Sequence, residues 1–398
     1  MEYRAISPPF KPDIIGILRK SYQPRRIALF TGNYNHIADG VSLTLNRLVA
    51  YLEEQGTEVL VFGPTVENPP VKHNGTLSAV PSISAPGRPE YRVSLFFPQH
   101  ARRQLLDFKP DLVHIATPDI LGLQALVVAR NHKIPVVSSF HTNFASYLKY
   151  YGFGIAEPLL WSYLRWYYKR CEALFVPTPS MKEELESRGI KTRLEIWSRG
   201  VETDRFHPDK RNVAWRNRHG IGDQDKVILF VSRLVWEKNL EAVMEVFNRC
   251  NQIENTKTVV VGDGPARADM VKRLPDTIFT GSLRGDQLAE AYASCDVFFF
   301  PSDTETFGNV TLEAMSCGLP VVAANAAGNR SLINHGENGF IENVSNTDGF
   351  FHHLKNLISN DEKRRLMGAS SRKIAESYNW PKVLNTLMDN YVSVLSRL

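Results

Sequence analysis

No apolar run in this chain approaches the roughly eighteen residues that a membrane-crossing helix needs, and no secretory signal pattern heads it. The expectation is a cytoplasmic protein. Cysteine is scarce: Cys171, Cys250, Cys295 and Cys317 are the only ones, scattered without metal-ligand spacing. They read as reduced thiols, and no metal site is expected. The segment Gly262-Asp263-Gly264-Pro265 lacks the third glycine of a dinucleotide fingerprint, with Arg267 in its place. Pro265 suits the first position of a helix, so a plain strand-to-helix turn is the simpler reading. No nucleic-acid recognition motif accompanies the basic residues, so nucleic acid is not expected as a partner.

What the chain has is length, at 398 residues, with 43% hydrophobic and 22% charged residues. That is too long for one ordinary core, and two domains follow. The net charge of +5 is unevenly shared: residues 1–200 carry 24 Lys and Arg against 17 Asp and Glu, and residues 201–398 carry 23 against 25. A basic first half fits an anionic partner such as a membrane surface, or an ordinary solvated face.

Short apolar strands alternate with helix-periodic segments throughout. Arg26 to Thr31 reads as a buried strand, Asp39-Gly40 as the opening of a helix through Glu54, and Thr57 to Gly63 as the next strand. That order forms a right-handed βαβ unit. Residues 64–98, rich in Pro, Gly and Ser, read as an irregular insertion with room for short strands. The alternation resumes to about residue 188 and breaks at Ser198 to Lys210, the expected domain boundary. It restarts at Lys226 and closes with three helices near 347–358, 361–377 and 381–397. The fold class is α/β, with two doubly wound domains facing a cleft.

The chemistry gathers in Pro301 to Ala323. Apolar Val297 to Phe300 feeds a loop with Glu305, Thr306, Phe307 and Gly308, and a helix follows from about Asn309, carrying Glu313. In a doubly wound sheet ligands sit at that crevice, and free amides at a helix start hold anions. The two carboxylates suit sugar hydroxyls. Alternatively, Glu305 favours the positive helix end and Glu313 is a solvated helical residue. Three further positions lie at sheet edges of the same kind. Gly40, before Val41, permits close approach of backbone to a ligand, or makes a tight turn with Asp39 as cap. Arg233 and Lys238, in the loop opened by Ser232, suit a diphosphate or are exposed charges. His141 ends a strand where it would face the cleft, as ligand contact or structural histidine.

Glu305 and Glu313 within ETFGNVTLEAMSCGLPVVA, together with SRLVWEKN and GDGP, resemble the retaining nucleotide-sugar glycosyltransferases of family 4, which have the GT-B fold. Ile37 to Val41, Phe140 to Asn143 and GSLRGDQLAEAYASCDVFFFPSDTET resemble a narrower group, the sulfoquinovosyltransferases and GDP-mannose-dependent lipid mannosyltransferases. The resemblance implies that His141, Glu305, Arg233 and Lys238 are catalytic. Gly40, Val41 and His141 approach sugar and phosphate from an acceptor-binding domain, residues 1–200. From a nucleotide-sugar domain, residues 201–380, Ser232, Arg233 and Lys238 hold the diphosphate. There too, Glu305, Thr306, Phe307 and Gly308 contact the sugar, and Asn309 and Val310 bind phosphate through their amides. Glu313 takes the ribose, and Ser282, Leu283 and Arg284 line the base pocket. Residues 381–398 form a helix returning to the first domain. No metal or other cofactor is required. Where relatives commonly read A-x-A-G-G-x-P-[DE], this chain has Ala324-Asn325-Ala326-Ala327-Gly328-Asn329-Arg330-Ser331, and Arg330 fits an acidic sugar.

The acceptor side is read from Tyr147 to Arg170, where aromatics alternate with basic residues. Tyr147, Lys149, Tyr150, Tyr151, Trp161, Arg165, Trp166, Lys169 and Arg170 suit either a lipid headgroup interface or a core helix. The expected function is transfer of a hexosyl or uronosyl group from a GDP- or UDP-sugar to a lipid or lipid-linked acceptor, by an enzyme peripheral on the inner membrane face. The alternatives are a soluble or polysaccharide acceptor, or a catalytically silent sugar-nucleotide-binding protein.

Overall fold

Arg26–Phe30 (β1) is apolar after its first residue and buried on both faces, as a central parallel strand must be. In the computed structural model, which describes residue 19 and residues 21–85, 88–141 and 157–398, β1 runs parallel to β2 (Glu58–Gly63) on one side. The remaining strands of the first half are β3 (Thr76–Ala79), β4 (Ser82–Ala85), β5 (Arg88–Ser94), β6 (Leu112–Ile115), β7 (Val136–Ser139), β8 (Ala173–Val176) and β9 (Leu194–Ile196). Seven of them form a parallel sheet in the order β3-β2-β1-β6-β7-β8-β9, and β4 with β5 forms a separate antiparallel hairpin. The second half contributes β10 (Lys226–Val231), β11 (Thr256–Val261), β12 (Ile278–Gly281), β13 (Val297–Phe300), β14 (Val321–Ala324) and β15 (Gly339–Glu342). These pair in the order β12-β11-β10-β13-β14-β15.

Strand order reverses between β1 and β6 in one sheet and between β10 and β13 in the other. Those two points are where a doubly wound sheet opens a crevice. Alternate residues of β1 feed separate cores: Ala28 and Phe30 on one face, Ile27 and Leu29 on the other. A third core surrounds the second sheet.

The Trp380–Leu395 helix crosses back to the first sheet. Its Val383, Leu384, Leu387, Met388, Tyr391 and Val394 are buried with Ile27, Leu29 and Phe175. The outward crossing lies beside it, since Val201 pairs in parallel with Asn379. The two halves are therefore clasped by two passages of chain set side by side.

Residues 64–98 are more regular than their composition implied. β3 extends the first sheet, and β4–β5 reaches the second domain. Short polar strands carry too few apolar positions for an alternation to register. The same reason hides β9 and β15. After β14 ends at Ala324, the chain turns directly into the Ala327–Leu332 helix.

Leu387 is fully buried at the clasp. Leu387→Ala is expected to lower unfolding free energy by about 2–5 kcal/mol, measured by urea denaturation; a change near zero would show that the helix contributes little.

Candidate active site

Gly308 caps the Asn309–Ser316 helix with φ at +96°, a conformation that side-chain-bearing residues rarely adopt. No side chain caps the helix, so its first amides are open to a ligand. The preceding loop is braced from below: Gly328 N–H donates to the Glu305 carbonyl at 3.0 Å. Thr311 Oγ1 donates to Asn329 Oδ1, and Asn329 Nδ2 donates to the Ala324 carbonyl.

Across the cleft the Gly40–Glu54 helix begins, and a Cβ on Gly40 would lie 3.0 Å from Asn309 Nδ2. Two helix N-termini therefore face each other. Asn309 Oδ1 is buried without a hydrogen-bond partner. Val41 has its N–H engaged, donating to Asp39 Oδ1 at 3.1 Å within a capping box. Its side chain packs on the first-domain core.

Lys238, in a short turn after β10, places Nζ 2.5 Å from Glu305 Oε1, which also accepts from Ser302 Oγ. Asn239 ties that turn to the Pro301 carbonyl. The Ser232 loop rests on the GDGP segment through Leu234 N–H donating to the Asp263 carbonyl. Arg233 is not a bare cation. Its Nη2 donates to Glu90 Oε1 of β5 at 2.7 Å, while Arg88 of the same strand reaches Glu237 at 3.5 Å. Burial pushes the Glu90 carboxyl up, but Arg233, a backbone hydrogen bond and Arg88 together offset this and hold it below its usual range.

His141 differs from its expected presentation. The residue is 9% exposed, and both ring nitrogens are engaged, Nε2 with Ser139 Oγ at 2.8 Å and Nδ1 with Arg199 at 2.5 Å. The imidazole is thus occupied as an acid or base. Its carbonyl reaches the cleft instead, accepting from Thr306 Oγ1 at 3.1 Å.

Glu313 is partly buried and accepts from the Tyr292 hydroxyl at 3.1 Å, so it is not a freely solvated helical residue. Burial raises its carboxyl to about 7. Phe307 is buried against Tyr378, which removes its ring from sugar contact, and Val310 packs on the core around the second sheet. Ser282 and Arg284 are exposed at the end of β12, while Leu283 packs inward. Arg330 is exposed and donates to Asn325 Oδ1 at 3.0 Å.

The aromatic-basic segment divides. Tyr147, Lys149, Tyr150 and Tyr151 lie outside the described residues. In the Glu157–Tyr168 helix, Trp161, Tyr167 and Tyr168 are core, which corrects Trp161 as a surface contact. Leu159 is 75% and Trp166 43% exposed, with the Arg170 guanidinium 4.0 Å over the Trp166 ring. Arg165 and Lys169 are polar neighbours on the same surface. The adjacent Ile120–Asn131 helix adds exposed Ile120 and Val127, and its Arg130 donates to the Arg170 carbonyl.

Comparison with known proteins meets this geometry from the other side. The profile described as Glycosyltransferase Family 4 matches residues 38–205, and that of Glycosyl transferases group 1 matches residues 212–374. A GDP-mannose-dependent alpha-mannosyltransferase of Mycolicibacterium smegmatis is 33% identical over 94% of this chain and 98% of its own. The chain belongs to glycosyltransferase family 4. The sulfoquinovosyl transferase SQD2 of Arabidopsis thaliana is 32% identical over 90% of this chain and 71% of its own. A solved sucrose-phosphate synthase from Thermosynechococcus elongatus superposes with a TM-score of 0.74 at 17% identity, over 94% of this chain and all of the other. The glycosyltransferase therefore has the GT-B fold, two Rossmann-like domains about a cleft. Reasoning on sequence missed Glu90, Arg199, Gly328 and Asn329, all of which touch residues it had named. Their signal is a contact distant in sequence, not a spacing.

The raised Glu313 carboxyl carries a sign. Its folded value lies above the ordinary 4.5, so the wild type loses stability as pH rises from about 4.5 to 7. Glu313→Gln should therefore gain on the wild type by on the order of 1–3 kcal/mol between those limits. Denaturation at pH 5 and pH 8 checks this; parallel pH dependences would contradict it.

Proposed function

We propose that this glycosyltransferase moves a hexosyl or uronosyl group from a GDP- or UDP-sugar to a lipid or lipid-linked acceptor, with retention of anomeric configuration. The observation that carries the reading is the pair of helix N-termini meeting at Gly40 and Asn309, beside Lys238 and Glu305. A sugar diphosphate held there meets open amides at Asn309 and Val310 on one side and backbone free of Cβ at Gly40 on the other. Lys238 and Arg233 neutralise the charge that grows as the diphosphate leaves, and Glu313 accepts from a ribose hydroxyl. Glu305, with the Thr306 to Gly308 backbone, orients the sugar.

In the step itself the bond from the anomeric carbon to phosphate oxygen breaks, and the acceptor oxygen bonds on the face just vacated. The departing phosphate oxygen takes the acceptor proton. No protein nucleophile is invoked; the protein supplies position and a preset positive field. That field comes from amides and two cations, so divalent metal is not required.

The lipid acceptor and an anionic membrane surface are supported by two things. One is the set of exposed apolar residues, Leu159, Trp166, Ile120 and Val127, on two helices that also carry Arg130 and Arg165 and lead to Lys169 and Arg170, linked where Arg130 donates to the Arg170 carbonyl. The other is the relatives, one of them a sulfoquinovosyl transferase. Among the described residues no helix is long and apolar enough to cross a membrane. A peripheral place on the inner face fits that surface.

Transfer from GDP- and UDP-sugars in excess chelator should proceed undiminished, and Lys238→Met should lower kcat on the order of 10²–10³-fold. Strict dependence on divalent metal would contradict the mechanism. Sedimentation with vesicles of anionic phospholipid at low salt should carry the wild type down and leave a Trp166→Ser, Arg170→Ser variant largely in solution; equal partitioning of both would remove this surface from the account.

A further inference from the structure

Arg199 lies in the crossing from the first domain to the second and is 5% exposed. Burying a guanidinium without a counter-charge is costly. The other buried arginine among the described residues, Arg216, has Asp296 at 3.4 Å. Among the described residues, no carboxylate pairs with Arg199. Its Nη2 donates instead to His141 Nδ1, and its guanidinium carbon lies 5.4 Å from the centroid of the Trp197 ring. That ring also packs edge-on against His141.

A guanidinium only donates, and this sets a direction. His141 Nδ1 must accept, so its ring proton is on Nε2 and is donated to Ser139 Oγ. The Ser139 hydroxyl proton is then directed to His114 Nε2, 3.0 Å away. His114 in turn carries its proton on Nδ1 and donates to the Tyr391 hydroxyl at 2.7 Å. One charge thereby orders a buried chain from the crossing to the returning C-terminal helix. The residue at its working end, His141, is the one whose carbonyl accepts from Thr306 across the cleft.

We propose that Arg199 is a positioning residue for glycosyl transfer: it locks His141 as the neutral Nε2–H tautomer and so fixes the His141 carbonyl toward the Thr306 loop. This rests on the reading of that loop as the sugar contact. The groups facing His141 are Arg199 from the crossing, His114 from β6, Ser139 from its own strand and Thr306 from the second domain. None is acidic. Burial, then the Arg199 charge, then His114 hold the His141 imidazole well below its ordinary value. Burial also brings Arg199 down to about 10, so it remains charged at neutral pH.

Two measurements test the lock. In wild-type protein labelled with 15N-histidine, His141, assigned by comparison with His141→Asn, should show a bare Nδ1 and a protonated Nε2, unchanged from pH 8 to pH 5. The opposite tautomer, or titration near the ordinary histidine value, overturns the proposal even if no Arg199 variant folds. Kinetically, Arg199→Met should lower kcat on the order of 10²-fold, the scale of a small misplacement, with donor KM little changed. Its acid limb of kcat should move to higher pH, because His141 has lost the charge that opposed protonation. Arg199→Lys should recover part of kcat and leave the acid limb in place. A loss equal in both variants, independent of pH and following the thermal midpoint, would make Arg199 a structural residue and overturn the role. A wild type with the stated tautomer but no transfer from any nucleotide sugar would instead overturn the functional reading beneath it.

Discussion

Two helix N-termini meet head to head in this molecule, and the rest of the cleft follows from that. The Asn309 end carries roughly half a positive charge on its open amides, the Gly40 end is capped by Asp39, and Lys238 is bonded to Glu305 in the loop that leads into the first. Positive ends brought so close repel unless something negative is near. The protein supplies fixed counter-charges, Glu305 on Lys238 and Glu90 on Arg233. The Glu90–Arg233 pair is substantially exposed, so it is a modest interaction that a doubly charged diphosphate can outcompete. Glu90 comes from the first domain, which makes the β4–β5 hairpin part of the electrostatics of the second.

Such an arrangement is useful only if the halves are held at the right separation. Buried apolar residues of the Trp380–Leu395 helix do this on the first sheet, and the Val201–Asn379 pairing sets the two crossings side by side. Through the same clasp runs the polar chain from Arg199 to Tyr391. Packing supplies the stability, and the polar chain supplies orientation at one carbonyl. The two roles fall on neighbouring residues of the same helix, Leu387 and Tyr391.

Much of the fold was legible along the chain because parallel strands buried on both faces leave short, unbroken apolar runs such as ALFV and VFFF. The carboxyl-edge loops after β10 and β13 could be named for the same reason. Gly40 does lie against Asn309, and Lys238 against Glu305. What was not legible is which partner each side chain takes. Arg233 meets Glu90, 143 positions away, and His141 meets Arg199, 58 away. Neither pairing leaves a period or spacing to read. Trp161 and Phe307 looked available for contact because aromatic residues serve cores and surfaces alike. Only packing distinguishes the two.

The central claim is that a diphosphate is held between the Gly40 and Asn309 helix ends, with Gly40 setting their approach. Calorimetric titration of wild type and Gly40→Ala with GDP and UDP tests it most directly. An added methyl 3.0 Å from Asn309 Nδ2 should weaken binding of the nucleotide on the order of tenfold or more, with the thermal midpoint of the free protein unchanged. Equal affinity for the two proteins would contradict the account, for the diphosphate would then not lie where the helix ends meet.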